Sequence, residues 1–218
     1  MKNVLAKLYL TIADLKNNRR AVLWLIAIDL ALAVSSNVVD WPWLIRVPPH
    51  LIVFAPICSL YPVLLVIWWT RSYFNKKIPA WFTGFLFMGL VSYGLMAWFY
   101  FSAYMSWNGV NFHDVGSIFW VTAYAFQAIP IASQLKKIPI YQYLFIFGYF
   151  FFKDYSDRYL GTFLDVLLPN YPENLKLFLV TTMIILHIGA AVLLVYIPRR
   201  KKHYSPEDVS TMPFTSTP

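Results

Sequence analysis

Between residues 21 and 197, apolar runs follow one another, all but one of them close to membrane-span length, and no other feature limits the fold so strongly. The runs cover residues 21–38, 51–70, 80–101, 117–133, 138–152 and 175–197. A helix needs roughly 20 apolar residues to cross the hydrocarbon core, and inside it every backbone polar group must be satisfied internally. Composition agrees: 59% of residues are hydrophobic and 13% are charged, whereas soluble domains carry roughly 25% charged residues. The expected fold is an all-α integral membrane protein with six transmembrane helices.

Ahead of the first run, Val4, Leu5, Leu8, Ile12 and Leu15 recur at helical spacing, with Lys7, Asp14 and Lys16 elsewhere. This predicts a short amphipathic helix lying along the membrane surface. The expected organisation is a cytoplasmic amphipathic segment over residues 1–20, a six-helix transmembrane domain over 21–197, and a cytoplasmic polar tail over 198–218. The basic residues set the orientation. Lys2, Lys7, Lys16, Arg19, Arg20, Arg71, Lys76, Lys77, Lys136, Lys137, Arg199, Arg200, Lys201 and Lys202 fall on one side of the predicted bundle, and Arg46, Lys153, Arg158 and Lys176 on the other. Basic linkers stay cytoplasmic, so both termini are expected inside, in a multi-pass protein of the cell membrane. The net charge of +8 is then a topology signal, and no nucleic acid is expected as a partner.

Individual linkers and spans carry further expectations. Asp40-Trp41-Pro42-Trp43 through Pro48-Pro49-His50 reads as an interfacial linker, and Pro56 and Pro62 predict a kink in the second span. Gly84, Gly89, Ser92 and Gly94 give the third span small-residue faces for close helix packing. The lone cysteine, Cys58, excludes a disulfide framework and reads as a small buried hydrophobe.

The most polar part of the membrane domain is residues 149–171. The run before it, 138–152, is too short to span, so the helix is expected to continue through Lys153, Asp154, Asp157 and Arg158. Asp154 and Asp157 then share one helix face near the outer headgroups, with Asp154 paired to Arg158 at i,i+4. Asp29 and His187 lie near the centres of the first and sixth spans and would meet if those helices pack side by side. Gln127 adds a polar group to the fourth span. Ionisable groups at such depth are costly and mark function, which makes Asp29, Gln127, Asp154, Asp157, Arg158 and His187 the candidate functional residues. A bis-histidine haem needs two deep histidines, and only His187 is deep, so no cofactor is expected. Asp154, Asp157, His113 and His50 lack a local metal-ligand spacing, and no metal is expected. Tyr149, Tyr155 and Asp154 would suit a quinone slot, although aromatic belts explain most aromatics at span ends. No nucleophile elbow, phosphate loop or dinucleotide fingerprint occurs, and no catalytic residue is assigned.

Five short motifs, Val47-Pro48-Pro49, Ser92-Tyr93-Gly94-Leu95-Met96-Ala97, Phe126-Gln127-Ala128, Asp154-x-x-Asp157 and Leu168-Pro169-Asn170-Tyr171, resemble the YpjA-like family of small bacterial and archaeal membrane proteins over most of residues 21–197. Where family members carry histidines ahead of the acidic pair and in the last span, this chain has Phe152 and a differently placed His187. Some members are encoded beside the quinol:cytochrome c reductase, so the resemblance implies an association with respiratory membranes. The leading expectation is a non-catalytic accessory subunit of a respiratory oxidase or cytochrome bc-type complex. Its partners would be membrane lipids and other integral subunits, haem- or copper-bearing respiratory proteins among them. The alternatives are a small transporter or channel with a polar route past Asp29, Gln127 and His187, and a quinone- or lipid-acting enzyme using Asp154 and Asp157.

Overall fold

A computed structural model describes residues 15–52, 54, 60–110, 112–160 and 172–200. Residues 3–14 of the expected amphipathic helix, Pro56, Cys58, the motif over 168–171 and most of the C-terminal tail lie outside the described residues. Within them, every regular element is helical: α1 (Arg19–Leu44), α2 (Leu60–Tyr73), α3 (Ala80–Asn108), α4 (Phe112–Ala132), α5 (Ile140–Tyr159) and α6 (Glu173–Arg200), with single 3-10 turns at Leu15–Asn17 and Pro49–Leu51. Four of these, α1, α3, α4 and α6, are long and apolar enough to cross a membrane.

Local chemistry sets the ends of several helices. Asn18 begins α1, its side-chain oxygen accepting the Ala21 N–H at 3.2 Å. Pro79 and Pro139 stand immediately before α3 and α5, where the missing N–H costs nothing. Gly109 closes α3 with φ 84°, its N–H donating to the Met105 carbonyl at 2.9 Å. Pro62 falls in the first turn of α2 as described, from Leu60, a position at which proline breaks no hydrogen bond within Leu60–Tyr73.

Two helices outrun their apolar segments. α1 continues to Leu44 through the Trp- and Pro-bearing stretch expected to be an irregular linker, and α3 runs seven residues past residue 101 to Asn108. Beyond α1 the chain is also folded. Leu44, Val47 and Leu51 form a small apolar cluster against Phe54 and Leu160, at the C-terminal end of α5.

α3 is the centre of the bundle. Of its apolar window, 72% is buried, against 17% for α1 and 33% for α6. It packs chiefly on α4 and α6, with α2 and α5 beside it, while α1 packs on α2. Its glycines make this crowding possible. A Cβ at Gly94 would sit 2.5 Å from the Ala125 Cβ of α4, one at Gly89 would fall into the Tyr61 ring of α2, and one at Gly84 would meet Leu194 of α6 at 3.2 Å. Each glycine thus admits a different neighbour to the same helix, which is how small residues drive association where lipid is as apolar as the side chains.

Candidate functional site

α5 shows how the buried polar groups are held. Its inward stripe is Tyr143, Ile146, Phe150, Lys153, Asp154 and Asp157, with Ser156 also buried. The spacing follows one helix face. Its other side exposes Tyr141, Leu144, Phe145, Phe151, Tyr155 and Tyr159. A soluble helix turns aromatics in and charges out; α5 does the reverse over its last two turns. The charges of this end therefore face the bundle: Lys153 is only 1% exposed and both aspartates are buried.

Two pairs organise these charges. Lys153 Nζ donates to both carboxylate oxygens of Asp157, at 2.8 and 3.1 Å. His187 Nδ1, from the middle of α6, lies 2.8 Å from Asp154 Oδ2. Aromatic rings enclose both pairs. Lys153 Nζ stands 5.6 Å from the centroid of the Tyr93 ring, within cation–π range. Phe150 and Tyr93 pack on the His187 imidazole at 4.8 and 5.5 Å, and Tyr61 packs on Tyr93 at 5.1 Å. Among the described residues, Asp154 Oδ1, His187 Nε2, Tyr61 Oη and Tyr93 Oη are buried without a hydrogen-bond partner. Above this cluster, Arg158 Nη1 binds Glu173 at 3.0 Å, and Lys176 lies 3.5 Å from the same carboxylate.

A separate polar site joins three other helices. Trp69 Nε1 of α2 donates to Gln127 Oε1 of α4 at 2.7 Å, and Gln127 Nε2 donates to Asp29 Oδ1 of α1 at 2.9 Å. Asp29 and Trp69 are fully buried.

The sequence candidates therefore gather differently from expectation. Asp29 does not pair with His187; it meets Gln127, while His187 meets Asp154. Arg158 does not pair with Asp154 but reaches Glu173, and the i,i+4 pair that forms is Lys153–Asp157. Tyr155 lies on the exposed side of α5, away from Asp154, so the proposed quinone-slot trio is not assembled. His50 is exposed in a 3-10 turn whereas both aspartates are buried, and His113 has no described side chain. Sequence reasoning missed Lys153, Tyr61, Tyr93 and Trp69. For Lys153 a signal existed: it continues the stripe of Tyr143, Ile146 and Phe150 at helical spacing.

Chemically, the α5–α6 cluster balances its charges when His187 and Asp154 share one proton. Lys153 offsets Asp157, and the His–Asp pair is neutral overall either as imidazolium with carboxylate or as imidazole with carboxylic acid. Removing that proton leaves a net negative charge buried among aromatic rings, which is costly in a low dielectric. Comparison with family models, with curated proteins and with solved structures gives no match to this chain, so its chemistry is read from this geometry.

Proposed function

We propose that this chain is a six-span protein of the cell membrane, with both termini on the cytoplasmic side, and that it moves protons through its own bundle as a small transporter or channel. The observation that carries this reading is the buried contact of His187, at the middle of α6, with Asp154, near the end of α5, beside the buried Lys153–Asp157 pair; Asp154 Oδ1, His187 Nε2 and the hydroxyls of Tyr61 and Tyr93 are buried without a partner among the described residues. Ionisable groups retained at such cost within membrane helices mark proton and ion pathways. Histidine is suited to the task because its charge changes in the physiological pH range. The accompanying tyrosine hydroxyls of Tyr61 and Tyr93 each can donate and accept.

An accessory subunit of a respiratory oxidase or cytochrome bc-type complex is the second reading. Exposed aromatic faces favour it, with Trp24 and Trp41 on α1 and Phe112, Phe119 and Trp120 on α4. Lipid covers such faces equally well, whereas lipid gives no reason to bury two charge pairs. That difference ranks proton movement first.

The test is reconstitution of the purified chain into liposomes holding a pH-sensitive dye, with a potassium diffusion potential as driving force. Potential-driven acidification above that of empty vesicles, abolished in His187→Gln and in Asp154→Asn, is the expected result. Flux equal to empty vesicles, or flux unchanged in both variants, would overturn the proposal.

A further inference from the structure

The Asp29 site supports a conclusion of its own, on different helices from the α5–α6 cluster and independent of what that cluster does. Asp29 lies near the middle of the apolar window Arg19–Val38 of α1 and is 0% exposed. Its two hydrogen-bonding neighbours fix its chemistry step by step. An indole N–H can only donate, so the oxygen of the Gln127 amide must face Trp69. The amide nitrogen must then face Asp29, which settles an orientation that heavy-atom positions alone leave ambiguous. Asp29 Oδ1 is therefore an acceptor, whatever the protonation state of the carboxyl.

The other oxygen decides that state. Asp29 Oδ2 is buried and has no hydrogen-bond partner, and no cation pairs with Asp29, among the described residues. An ionised carboxylate here would have one hydrogen bond and no counter-charge to offset full desolvation. A proton on Oδ2 removes the charge and leaves Oδ1 as a carbonyl that still accepts from Gln127, so nothing else in the triad has to move. We propose that Asp29 is a proton-binding site, a carboxylic acid that carries its proton on Oδ2 while the Trp69–Gln127 chain holds Oδ1. A metal cation suits the site poorly. Gln127 Oε1 is taken by Trp69, and Trp69 offers only a donor, which leaves Asp29 as the lone oxygen ligand of the triad.

Infrared spectroscopy of the full chain in lipid at neutral pH tests this, because a protonated carboxylic acid has a carbonyl stretch distinct from both carboxylate bands. Two variants assign it. Asp29→Asn is expected to remove one carboxylic-acid component from the spectrum. Gln127→Leu is expected to keep that component and move it to higher frequency, since the carbonyl loses its donor. That shift would not follow from a merely structural role for Asp29, and it is read in a variant that retains the carboxyl. A carboxylic-acid region unchanged by Asp29→Asn, or unshifted in Gln127→Leu, would overturn the proposal. So would a spectrum of the intact chain with carboxylate bands alone.

Discussion

Replacing Lys153 by Met and Asp157 by Leu, singly and together, probes the energetics of burying charge in this bundle. The two groups are 2.8 Å apart, with side chains only 1% and 7% exposed. At that separation and an effective dielectric of 20, their attraction is about 6 kcal/mol. Most of it is offset by the desolvation of both ions, so the pair contributes little net stability, and exchanging both members for apolar side chains of similar size is expected to be near neutral. Either single change is different because it strands a buried charge, at a cost of about 3–5 kcal/mol, or about 10²- to 10⁴-fold in the unfolding equilibrium. Reversible unfolding in mixed micelles against SDS mole fraction, followed by circular dichroism, supplies the four free energies. The two single losses should exceed the double loss by at least about 3 kcal/mol, because removing the second ion removes the penalty left by the first. Singles that sum to the double within about 0.5 kcal/mol would refute the reasoning. A Lys153→Met variant as stable as the parent would do the same.

The glycines of α3 should rank by what surrounds them. In the same unfolding assay Gly94→Ala, which drives a methyl toward the backbone and Cβ of Ala125, is expected to lose about 1–3 kcal/mol through overpacking. Gly84→Ala meets only the movable side-chain ends of Leu194 and Ile146 and should stay within about 1 kcal/mol of the parent, helped by the better helix propensity of alanine. The adjacent tryptophans offer a second contrast at equal volume change. Trp69→Phe strands the buried oxygen of Gln127 and should cost about 1–3 kcal/mol more than the packing loss alone. Trp68→Phe gives up only a long 3.4 Å contact with Thr83 and should be milder.

The apolar runs were enough to locate the six long helices among the described residues, because in a chain of this composition an uninterrupted apolar stretch has few other ways to satisfy its backbone. Helix ends were less legible. α1 continues through Trp41-Pro42-Trp43, where proline and interfacial aromatics argue for a linker, and Leu44 at its end belongs to an apolar cluster that includes the distant Leu160. The partners of the buried polar groups were least legible. Asp29 and Gln127 are 98 residues apart in sequence, and no local pattern says whether α1 brings Asp29 to α4 or to α6. Within α5 the sequence Lys153-Asp154-Tyr155-Ser156-Asp157-Arg158 contains two i,i+4 ion pairs, and choosing between them requires knowing which face turns inward. The aromatic residues on the opposite face hold that information, since lipid accepts Phe151, Tyr155 and Tyr159 and rejects Lys153. Read with lipid as the solvent, the string assigns Lys153 and Asp157 to the interior and frees Arg158 to reach Glu173.

Cysteine labelling tests most directly whether the charged end of α5 is turned into the bundle. In a Cys58→Ser background, Ser156→Cys places a thiol at a position with 0% exposure, and Tyr155→Cys places one on the adjacent face, where Tyr155 is 51% exposed. In intact proteoliposomes a lipid-soluble maleimide should label Tyr155→Cys, while Ser156→Cys should resist both that reagent and a charged, water-soluble one until SDS unfolds the chain. Labelling of folded Ser156→Cys by the charged reagent, or at the rate of Tyr155→Cys by the lipid-soluble one, would contradict the inward placement of Lys153, Asp154 and Asp157 and the proton site built on it.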